Sequence, residues 1–237
     1  MFNLIKFYFD LISRAFYKRI KNYIAFQSSW KILFLKEESG ERHIKAILKR
    51  IALLIRKFKC DLIFIDVGAY LGEYVQELAS MSKYICAIEA HPNNYIKLCN
   101  NIRDLGHVIP LNYAIYDFNG SSFLYVREET THSLVRRKKA KGVIRVKCVT
   151  LTSLLRLLYK ALSIKTPLAV IIKIDIEGAE LNALLGLTVQ FPKPLLIILI
   201  IELHGSFNKI FVPLIAALKG FKVKLINDSH ILLTKVT

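Results

Sequence analysis

Acidic residues and cysteines are scarce in this chain of 237 residues. Asp and Glu total 18 against 35 Lys and Arg, which gives a net charge of +17 and an isoelectric point near 9.7. The four cysteines, Cys60, Cys86, Cys99 and Cys148, lack the Cys-x-x-Cys spacing of zinc and redox sites. We therefore expect reduced, structural thiols. The positive charge attracts phosphate groups, which suggests nucleic acid, anionic lipid, or a phosphorylated or nucleotide-linked sugar as a partner, although a solvated lysine surface explains the charge equally well.

Long apolar runs are also missing. The run from Leu195 to Ile201 is bounded by Lys193 and Glu202, and it is far shorter than the roughly 20 residues that a membrane-spanning helix needs. Charges interrupt the apolar residues of the N-terminus, which therefore lacks the apolar core of a signal peptide. These absences predict a cytoplasmic protein.

Apolar content is high, at 54% of the residues, which is ample for a globular core. The pattern of the chain changes near residue 60. We predict a basic, amphipathic helical extension over residues 1–59 and a catalytic domain over residues 60–237.

The extension carries much of the positive charge, because residues 1–60 hold 14 Lys and Arg against 4 Asp and Glu. Within residues 1–25, Phe2, Phe9 and Phe16 belong to an apolar stripe at helical spacing. Such a helix packs on the edge of a domain, contacts a membrane surface, or serves as a dimer contact or lid. A second basic cluster, from Arg136 to Lys141, predicts a surface loop.

A strand, a glycine turn and a helix are predicted where the chain reads LIFIDVGAYLG, from Leu62 to Gly72. The apolar run ends at Asp66, Gly68 lets the backbone approach a ligand, and Gly72 allows close packing of the next helix. This pattern is typical of nucleotide cofactor sites, although a purely structural turn has the same residues.

A second acidic residue supports the cofactor interpretation. Glu89 ends the next predicted strand, 23 positions after Asp66. In a β-α-β unit, a carboxylate at that place accepts hydrogen bonds from the ribose hydroxyls of the cofactor.

Strands and helices alternate through the remaining sequence, which predicts a doubly wound, mostly parallel α/β sheet. One helix is predicted to begin at Leu71. Four more are predicted over Asn93–Asp104, Leu151–Leu162, Gly178–Leu185 and Phe207–Leu218. Two strands are predicted to end at Val67 and Ile88. Five more are predicted over His107–Asn112, Ala169–Ile174, Leu195–Leu203, Phe221–Ile226 and His230–Thr234. An inserted hairpin is predicted from Ser122–Val126 and Val143–Val149. Ligands bind beyond the carboxyl ends of such strands. We expect the residues at these ends to surround one crevice: Asp66, Glu89, Asn112, Asp175, Glu202 and His204.

Three further segments resemble the FkbM family of S-adenosylmethionine-dependent methyltransferases, which methylate mostly hydroxyl groups of sugars and related metabolites. They are VIPLNYAIYDFNGSSFLYV from Val108, VKCVTLTSLL from Val146, and IIKIDIEGAELNALLGL from Ile171. The resemblance covers roughly residues 60 to 204, and it implies a Rossmann-like fold with an antiparallel final strand. Tyr70 stands where the family usually has Asn, and Thr152 stands where it commonly has Asp.

The resemblance implies S-adenosylmethionine as the cofactor. It places Ala114 and Asp117 near the adenine, although Asp117 is equally well explained as a turn residue. The residues that it assigns to cofactor binding are Asp66, Gly68, Ala69, Tyr70, Gly72, Glu89, Ala114, Asp117 and Asp175.

Catalysis at a hydroxyl requires a group that takes the hydroxyl proton. His204 and Asp175 are the candidates, because both follow neighbouring strands, although a histidine at a strand end also serves as a packing residue. Asp175, Glu202 and His204 are alternatively a set of ligands for a divalent metal such as magnesium. For Glu180 the sequence favours a structural role at a helix N-terminus.

The predicted function is methyl transfer from S-adenosylmethionine to a hydroxyl of a sugar, glycan or related metabolite. Two alternatives stay open. The positive charge is compatible with an RNA methyltransferase, and the Tyr70 substitution is compatible with a non-catalytic protein that binds the cofactor.

Overall fold

The computed structural model describes residues 40–57, 60–127, 132–135, 140–162, 168–188 and 196–236. The chain divides into two compact units, Met1–Phe58 and Lys59–Thr237. The amphipathic stretch predicted over residues 1–25 and residues 136–139 of the basic cluster lie outside the described residues. Within the described ranges, no helix combines the length and the apolarity that crossing a bilayer demands.

In the first unit, one helix is described, α1 (Glu41–Lys57). It is amphipathic, and the side chains of Ile44, Leu48 and Ile51 on its apolar side are buried. Its first turn carries Glu41 and its last turn carries basic side chains, so its charges complement the helix dipole.

The second unit alternates strands and helices. Its strands are β1 (Asp61–Val67), β2 (Tyr84–Ile88), β3 (Val108–Leu111), β4 (Ala114–Ile115), β5 (Gly120–Val126), β6 (Gly142–Val149), β7 (Leu168–Ile174), β8 (Leu196–Glu202), β9 (Lys222–Leu225) and β10 (His230–Val236). Its helices are α2 (Glu73–Leu78), α3 (Pro92–Ile102), α4 (Leu151–Ala161), α5 (Glu180–Leu185) and α6 (Gly205–Leu218).

The described strands of this unit form a seven-stranded sheet in the order β3-β2-β1-β7-β8-β10-β9 and a small sheet in the order β4-β6-β5. Neighbouring strands from β3 to β8 are parallel, whereas β10 is antiparallel to β8 and to β9. The predicted mostly parallel sheet, the inserted hairpin of β5 and β6, and the antiparallel final strand are confirmed.

The strand order reverses between β1 and β7, and ligands bind at such a reversal. Both strands are buried along almost their whole length, which explains their continuous apolar sequences. Asp66 pairs in register with Lys173 near the carboxyl ends of these strands. The reversal therefore brings polar side chains together at the edge of a buried sheet.

Two helices begin later than the sequence pattern predicts. The helix expected from Leu71 begins at Glu73, and the helix expected from Gly178 begins at Glu180. Gly72 and Gly178 have φ values of 85° and 113°, which are not helical. These glycines belong to the turns that lead into the helices.

Candidate active site

The glycine turn after β1 lies directly on the end of β7. Gly68 has a φ of 83°, and a Cβ atom at this position would lie 1.9 Å from the carbonyl oxygen of Asp175. Only glycine fits such a contact. The next turn residue with a positive φ is Tyr70, at 48°, which is uncommon for a residue other than glycine. The predicted turn is thus present, and its backbone conformation is constrained.

Glu89, after β2, is oriented by that turn. Its Oε2 accepts a hydrogen bond from the backbone N–H of Tyr70 at 3.0 Å, and its Oε1 accepts one from the N–H of His91 at 2.9 Å. The side-chain amide of Asn112 donates to the carbonyl oxygen of Glu89 at 2.8 Å. A carboxylate has about four acceptor positions, so two bonds leave capacity for a pair of hydroxyls.

Asp66 is fully buried, and neither oxygen of its carboxylate has a hydrogen-bond partner among the described residues. Burial raises the pKa of Asp66 to about 6, although the nearby charge of Lys173 opposes the increase. The Lys173 ammonium donates to Asp175 Oδ2 at 3.1 Å and lies 4.4 Å from the centre of the Tyr74 ring. An acidic group left without partners in a protein interior is costly, and a bound ligand would supply those partners.

These features fit S-adenosylmethionine. The turn at Gly68 lets a ligand approach the backbone, Glu89 presents a fixed carboxylate for ribose hydroxyls, and Asp66 offers unused acceptors. Ala69 and Gly72 belong to the same turn, where the N–H of Gly72 donates to the carbonyl of Ala69.

Two further predicted cofactor residues lie at the small sheet. Ala114 is buried in β4, beside Cys148 of β6. Asp117 follows β4, and its Oδ2 accepts a hydrogen bond from the Asn182 amide at 2.8 Å. Asp117 therefore links the end of β4 to α5, and its role beside adenine remains a prediction.

His204, just after β8, faces several carboxylates. Its Nε2 lies 3.9 Å from Asp175 Oδ1, 3.7 Å from Glu177 Oε1 and 3.9 Å from Glu202 Oε1. Because β7 and β8 are adjacent and parallel, their carboxyl ends bring His204 and Asp175 together, as the sequence predicts.

The opposite ring nitrogen of His204 is held by Glu180. His204 Nδ1 lies 2.8 Å from Glu180 Oε1, and the Glu180 side chain is fully buried. Asn208 donates to the other carboxylate oxygen of Glu180 and to the carbonyl oxygen of Gly178. Glu180 does lie at a helix N-terminus, as the sequence predicts, but its carboxylate also fixes the imidazole ring of His204.

This surrounding charge controls protonation. Burial alone lowers the pKa of His204, but the hydrogen bond to Glu180 and the charges of Glu177 and Asp175 outweigh burial and raise the pKa to about 9. The imidazole is therefore mostly a cation at neutral pH. Its positive charge is balanced by the carboxylates that face it.

The residues that best match a metal site differ by one from the predicted set. The ligand atoms of Asp175, Glu177 and His204 lie within 4.8 Å of one another. Glu202 is shared between two histidines: its Oε1 lies 3.9 Å from His204 Nε2 and its Oε2 lies 3.5 Å from His230 Nε2, and the hydrogen bond from His230 lowers the pKa of Glu202. Glu177 thus stands closer to a third ligand position than Glu202 does.

A short segment after the hairpin strand β5, residues 132–135, is hydrogen-bonded to the loop that follows β7. Ser133 is buried, and its Oγ donates to the carbonyl oxygen of Glu177 at 2.7 Å. The neighbouring His132 stacks on His91 with ring centres 4.3 Å apart. The segment 132–135 therefore connects the loop after β7 with the residues that follow Glu89.

Sequence reasoning did not assign functional roles to Lys173, Glu177 or Asn208. Lys173 and Glu177 lie inside the Lys-Ile-Asp-x-Glu-Gly-Ala-Glu motif, each two residues from Asp175, and this closeness in sequence is the feature that could have indicated a role for them in the site. Asn208 follows His204 by four residues, which is one helical turn and places its amide near the carbonyl oxygen of His204.

Known proteins resemble this chain in sequence. The profile of the methyltransferase FkbM domain matches residues 66–223, about two thirds of the chain. The hexuronic acid methyltransferase AglP of Haloferax volcanii is 25% identical over 186 residues, which cover 77% of this chain and 70% of that protein.

Two solved methyltransferase structures match this chain with low sequence identity and low TM-scores. The precorrin-6y C5,15-methyltransferase of Geobacter metallireducens is 11% identical with a TM-score of 0.45, covering 86% of this chain and 93% of its own. The ribosomal protein L11 methylase of Lactobacillus delbrueckii subsp. bulgaricus is 13% identical with a TM-score of 0.45, covering 84% of this chain and 81% of its own.

Proposed function

The chain belongs to the FkbM methyltransferase family, which uses S-adenosylmethionine, and on that premise we propose that it methylates a hydroxyl group of a neutral sugar or of an acceptor that contains such a sugar. The observation that carries this proposal is the hydrogen-bonded pair of His204 and buried Glu180. His204 faces the carboxylate of Asp175, whose carbonyl oxygen lies against the glycine turn at Gly68.

The similarity to a hexuronic acid methyltransferase supports a carbohydrate acceptor. The acceptor that this relative's name states is acidic, whereas the preference for a neutral acceptor proposed here rests on the carboxylates around His204 alone.

The cofactor contributes an electrophilic methyl group, so positioning supplies most of the catalysis. Glu89 would hold the ribose of the cofactor, and the turn at Gly68, which lies against the end of β7, would receive it. Asp175 lies at that same end, where its carbonyl oxygen approaches Gly68 and its carboxylate faces His204. Asp175 therefore belongs to the cofactor side and to the acceptor side of the site.

The acceptor hydroxyl must lose a proton as its oxygen attacks. In its neutral form, His204 accepts this proton at Nε2 while Nδ1 donates to Glu180. The resulting imidazolium is stabilised by Asp175 and Glu177, whose carboxylates lie within 4 Å of Nε2. A positioned base of this kind accelerates such reactions by about 10² to 10⁴-fold.

The charge around His204 favours a neutral acceptor. Asp175, Glu177 and Glu202 present carboxylates to the same ring nitrogen, and these would repel an anionic acceptor group. The same repulsion disfavours the phosphates of RNA at this site, despite the net charge of +17. The RNA alternative is therefore the weaker one.

A matched pair of acceptors tests the proposal. Purified protein and labelled S-adenosylmethionine are incubated with oligosaccharides of glucose and with the same oligosaccharides of glucuronic acid, and transfer of the label is measured. We expect transfer to the neutral sugar at least about tenfold above that to the acidic sugar. Transfer to RNA alone, or a preference for the carboxylate acceptor, would contradict the proposal.

Chelation separates the base from the metal alternative. If His204 acts as a base, EDTA changes the rate by less than about twofold, because no step needs a divalent ion. A rate that is lost in EDTA and restored by Mg²⁺ would instead assign Asp175, Glu177 and His204 as ligands.

A further inference from the structure

Ser133 is a buried serine in the segment 132–135, and only 1% of the residue is exposed. Its backbone pairs with Tyr125 of β5: the N–H of Tyr125 donates to the Ser133 carbonyl oxygen at 2.8 Å, and the N–H of Ser133 donates to the Tyr125 carbonyl oxygen at 3.2 Å. The Ser133 hydroxyl also accepts a hydrogen bond from the N–H of Val135 at 3.1 Å. Contacts within the segment and with the hairpin strand therefore fix this hydroxyl in place.

The Ser133 hydroxyl donates to one peptide unit of the site, the one that joins Glu177 to Gly178. The hydroxyl oxygen lies 2.7 Å from the carbonyl oxygen of Glu177. The N–H of the same peptide, on Gly178, donates to Glu180 Oε1 at 2.8 Å. That carboxylate oxygen is also the partner of His204 Nδ1, at 2.8 Å. A continuous series of hydrogen bonds thus runs from Ser133 through the peptide to Glu180 and on to the imidazole ring.

The orientation of this peptide depends on its hydrogen bonds. Glu177 has a φ of 54°, a conformation that residues with a Cβ atom adopt rarely. Gly178 has a φ of 113° and carries no Cβ atom, so it accepts positive and negative φ values alike. Rotation of the peptide changes ψ of Glu177 and φ of Gly178, and the glycine offers little steric resistance to it. The hydrogen bonds at the two ends of the peptide therefore determine which way its N–H points.

We propose that Ser133 is a positioning residue for the base. Its hydroxyl holds the peptide between Glu177 and Gly178 in the orientation that directs the peptide N–H at Glu180 Oε1. Without the bond from Ser133, the peptide would rotate, and Glu180 would lose a partner that orients its carboxylate toward His204. That His204 is a base rests on the proposed function, whereas the role of Ser133 in holding Glu180 against the ring does not.

The carboxylate of Glu177 depends on the same peptide. Its Oε1 lies 3.7 Å from His204 Nε2, and its backbone carbonyl is the group that Ser133 holds. The peptide thus influences one carboxylate at each nitrogen of the ring, Glu180 at Nδ1 and Glu177 at Nε2. Against the effect of burial, both carboxylates raise the pKa of His204. Loss of the Ser133 hydroxyl should therefore change the protonation of the ring, which the loss of a packing contact alone would not do.

The cofactor side should not respond to the same change. His132, next to Ser133, stacks on His91 with ring centres 4.3 Å apart, and the N–H of His91 donates to Glu89. Ser133→Ala keeps this stack and the backbone pairing with Tyr125, because it removes only the hydroxyl. We therefore expect the affinity for S-adenosylmethionine to stay within about threefold of wild type, which also shows that the variant is folded.

NMR titration of His204 tests the proposal in the full chain, without acceptor and in EDTA. The variant is Ser133→Ala, and the matched control is Ser121→Ala, which removes an exposed hydroxyl from β5. Glu180→Gln and the double variant Ser133→Ala with Glu180→Gln complete a cycle that measures whether the two residues act together. The dependence of kcat/KM on pH, measured with an acceptor that wild type methylates, is the second readout.

We expect Ser133→Ala to lower the pKa of His204 by about 0.5 to 1 pH unit, because carboxylates that raise this pKa are no longer held against the ring. Asp175 and Glu202 also face the ring and stay in place, so the shift should be partial. The rising limb of kcat/KM should move by the same amount, and its plateau at high pH should fall at least about threefold, since the ring is less well oriented. Ser121→Ala should match wild type.

In the Glu180→Gln background, Ser133→Ala should cause less than about half of this shift. Two results would overturn the proposal. An unchanged pKa of His204 in Ser133→Ala would mean that the serine only packs its segment. A shift of equal size with and without Glu180→Gln would mean that Ser133 acts by another route. A wild type that methylates no sugar would instead contradict the proposed function alone, because the NMR titration still decides the role of Ser133.

Discussion

Two buried carboxylates, one on the proposed cofactor side of the site and one on the proposed acceptor side, differ in their hydrogen bonds. Asp66, on the cofactor side, is fully buried and its carboxylate has no partner among the described residues. Glu180, on the acceptor side, is equally buried and is bonded to His204, Asn208 and the N–H of Gly178. Burial alone therefore does not reveal the purpose of an acidic side chain.

The difference separates two kinds of work. The satisfied carboxylate fixes another side chain, and its effect is visible in the pKa of His204, which is raised to about 9. The unsatisfied carboxylate remains ready for a ligand, and burial raises its own pKa to about 6. The proposed acceptor side is thus organised before binding, whereas on the proposed cofactor side the carboxylate of Asp66 still lacks hydrogen-bond partners among the described residues.

Removing the proposed base should give the largest effect. His204→Gln should lower kcat by about 10² to 10⁴-fold, because the hydroxyl proton loses its acceptor. The affinity for S-adenosylmethionine should stay within about threefold of wild type, since Glu89 and Gly68 are unchanged. Steady-state kinetics with a cofactor titration measures both. A variant with wild-type kcat would show that His204 only packs the strand end.

Glu180 should control the pH dependence. A base must be neutral, so kcat/KM of wild type should rise with pH until the pKa of His204, about 9, is passed. Glu180→Gln removes the largest influence that raises this pKa, and the rising limb should shift toward the ordinary value of about 6.5.

Glu180→Asp is the matched variant, because it keeps the charge. We expect its pH profile to stay nearer to that of wild type. Identical profiles for wild type and Glu180→Gln would mean that the group observed in kinetics is not His204.

These two sides also differ in how far the sequence predicts them. Asp66, Glu89, Asp175 and His204 each end an apolar run, and the carboxyl ends of parallel strands meet at one edge, so their placement follows from pattern alone. The bond between Glu180 and His204 joins residues 24 positions apart through the packing of α5 against α6. No local pattern encodes such a contact.

Backbone strain is equally hidden from periodicity. Glu177 has a φ of 54°, and Gly178 follows it at 113°. The sequence places a helix start at Gly178, because charge and apolar spacing favour one there. The tight turn after β7 uses these two residues first, and the helix therefore begins at Glu180.

Removing the negative charge of Asp66 by mutation should stabilise the protein. Asp66→Asn removes a carboxylate whose pKa is raised from 3.8 to about 6, which corresponds to about 2 to 3 kcal/mol in the free energy of unfolding at about pH 8. The sign follows from the raised pKa: the ionised form is penalised above about pH 6, and the penalty disappears as pH falls below the unfolded value of 3.8.

Denaturation at about pH 8 and about pH 4 measures this difference. Most of the gain should be lost at the lower pH, and the affinity for the cofactor should fall by about tenfold. Asp228→Asn, at an exposed carboxylate away from the site, serves as the control and should change stability little. Equal stability of Asp66→Asn and wild type at high pH would show that Lys173 already satisfies Asp66.

Tyr70 should give the smallest effect. Its φ of 48° lies in the left-handed region, where glycine carries no Cβ penalty. Tyr70→Gly should therefore be more stable than Tyr70→Ala by about 1 kcal/mol, since both variants lose the ring and only one relieves the backbone. Chemical denaturation compares them. Equal stabilities would mean that the turn is not strained.

The central claim is that the turn after β1 and the carboxylate of Glu89 form the site for S-adenosylmethionine. Calorimetric titration of wild type and Glu89→Ala with S-adenosylmethionine tests it most directly. We predict one binding site in wild type and an affinity at least about 100-fold lower in the variant, because two hydrogen bonds to a charged group are lost. Binding of equal strength by both proteins, or no binding by wild type, would contradict the account.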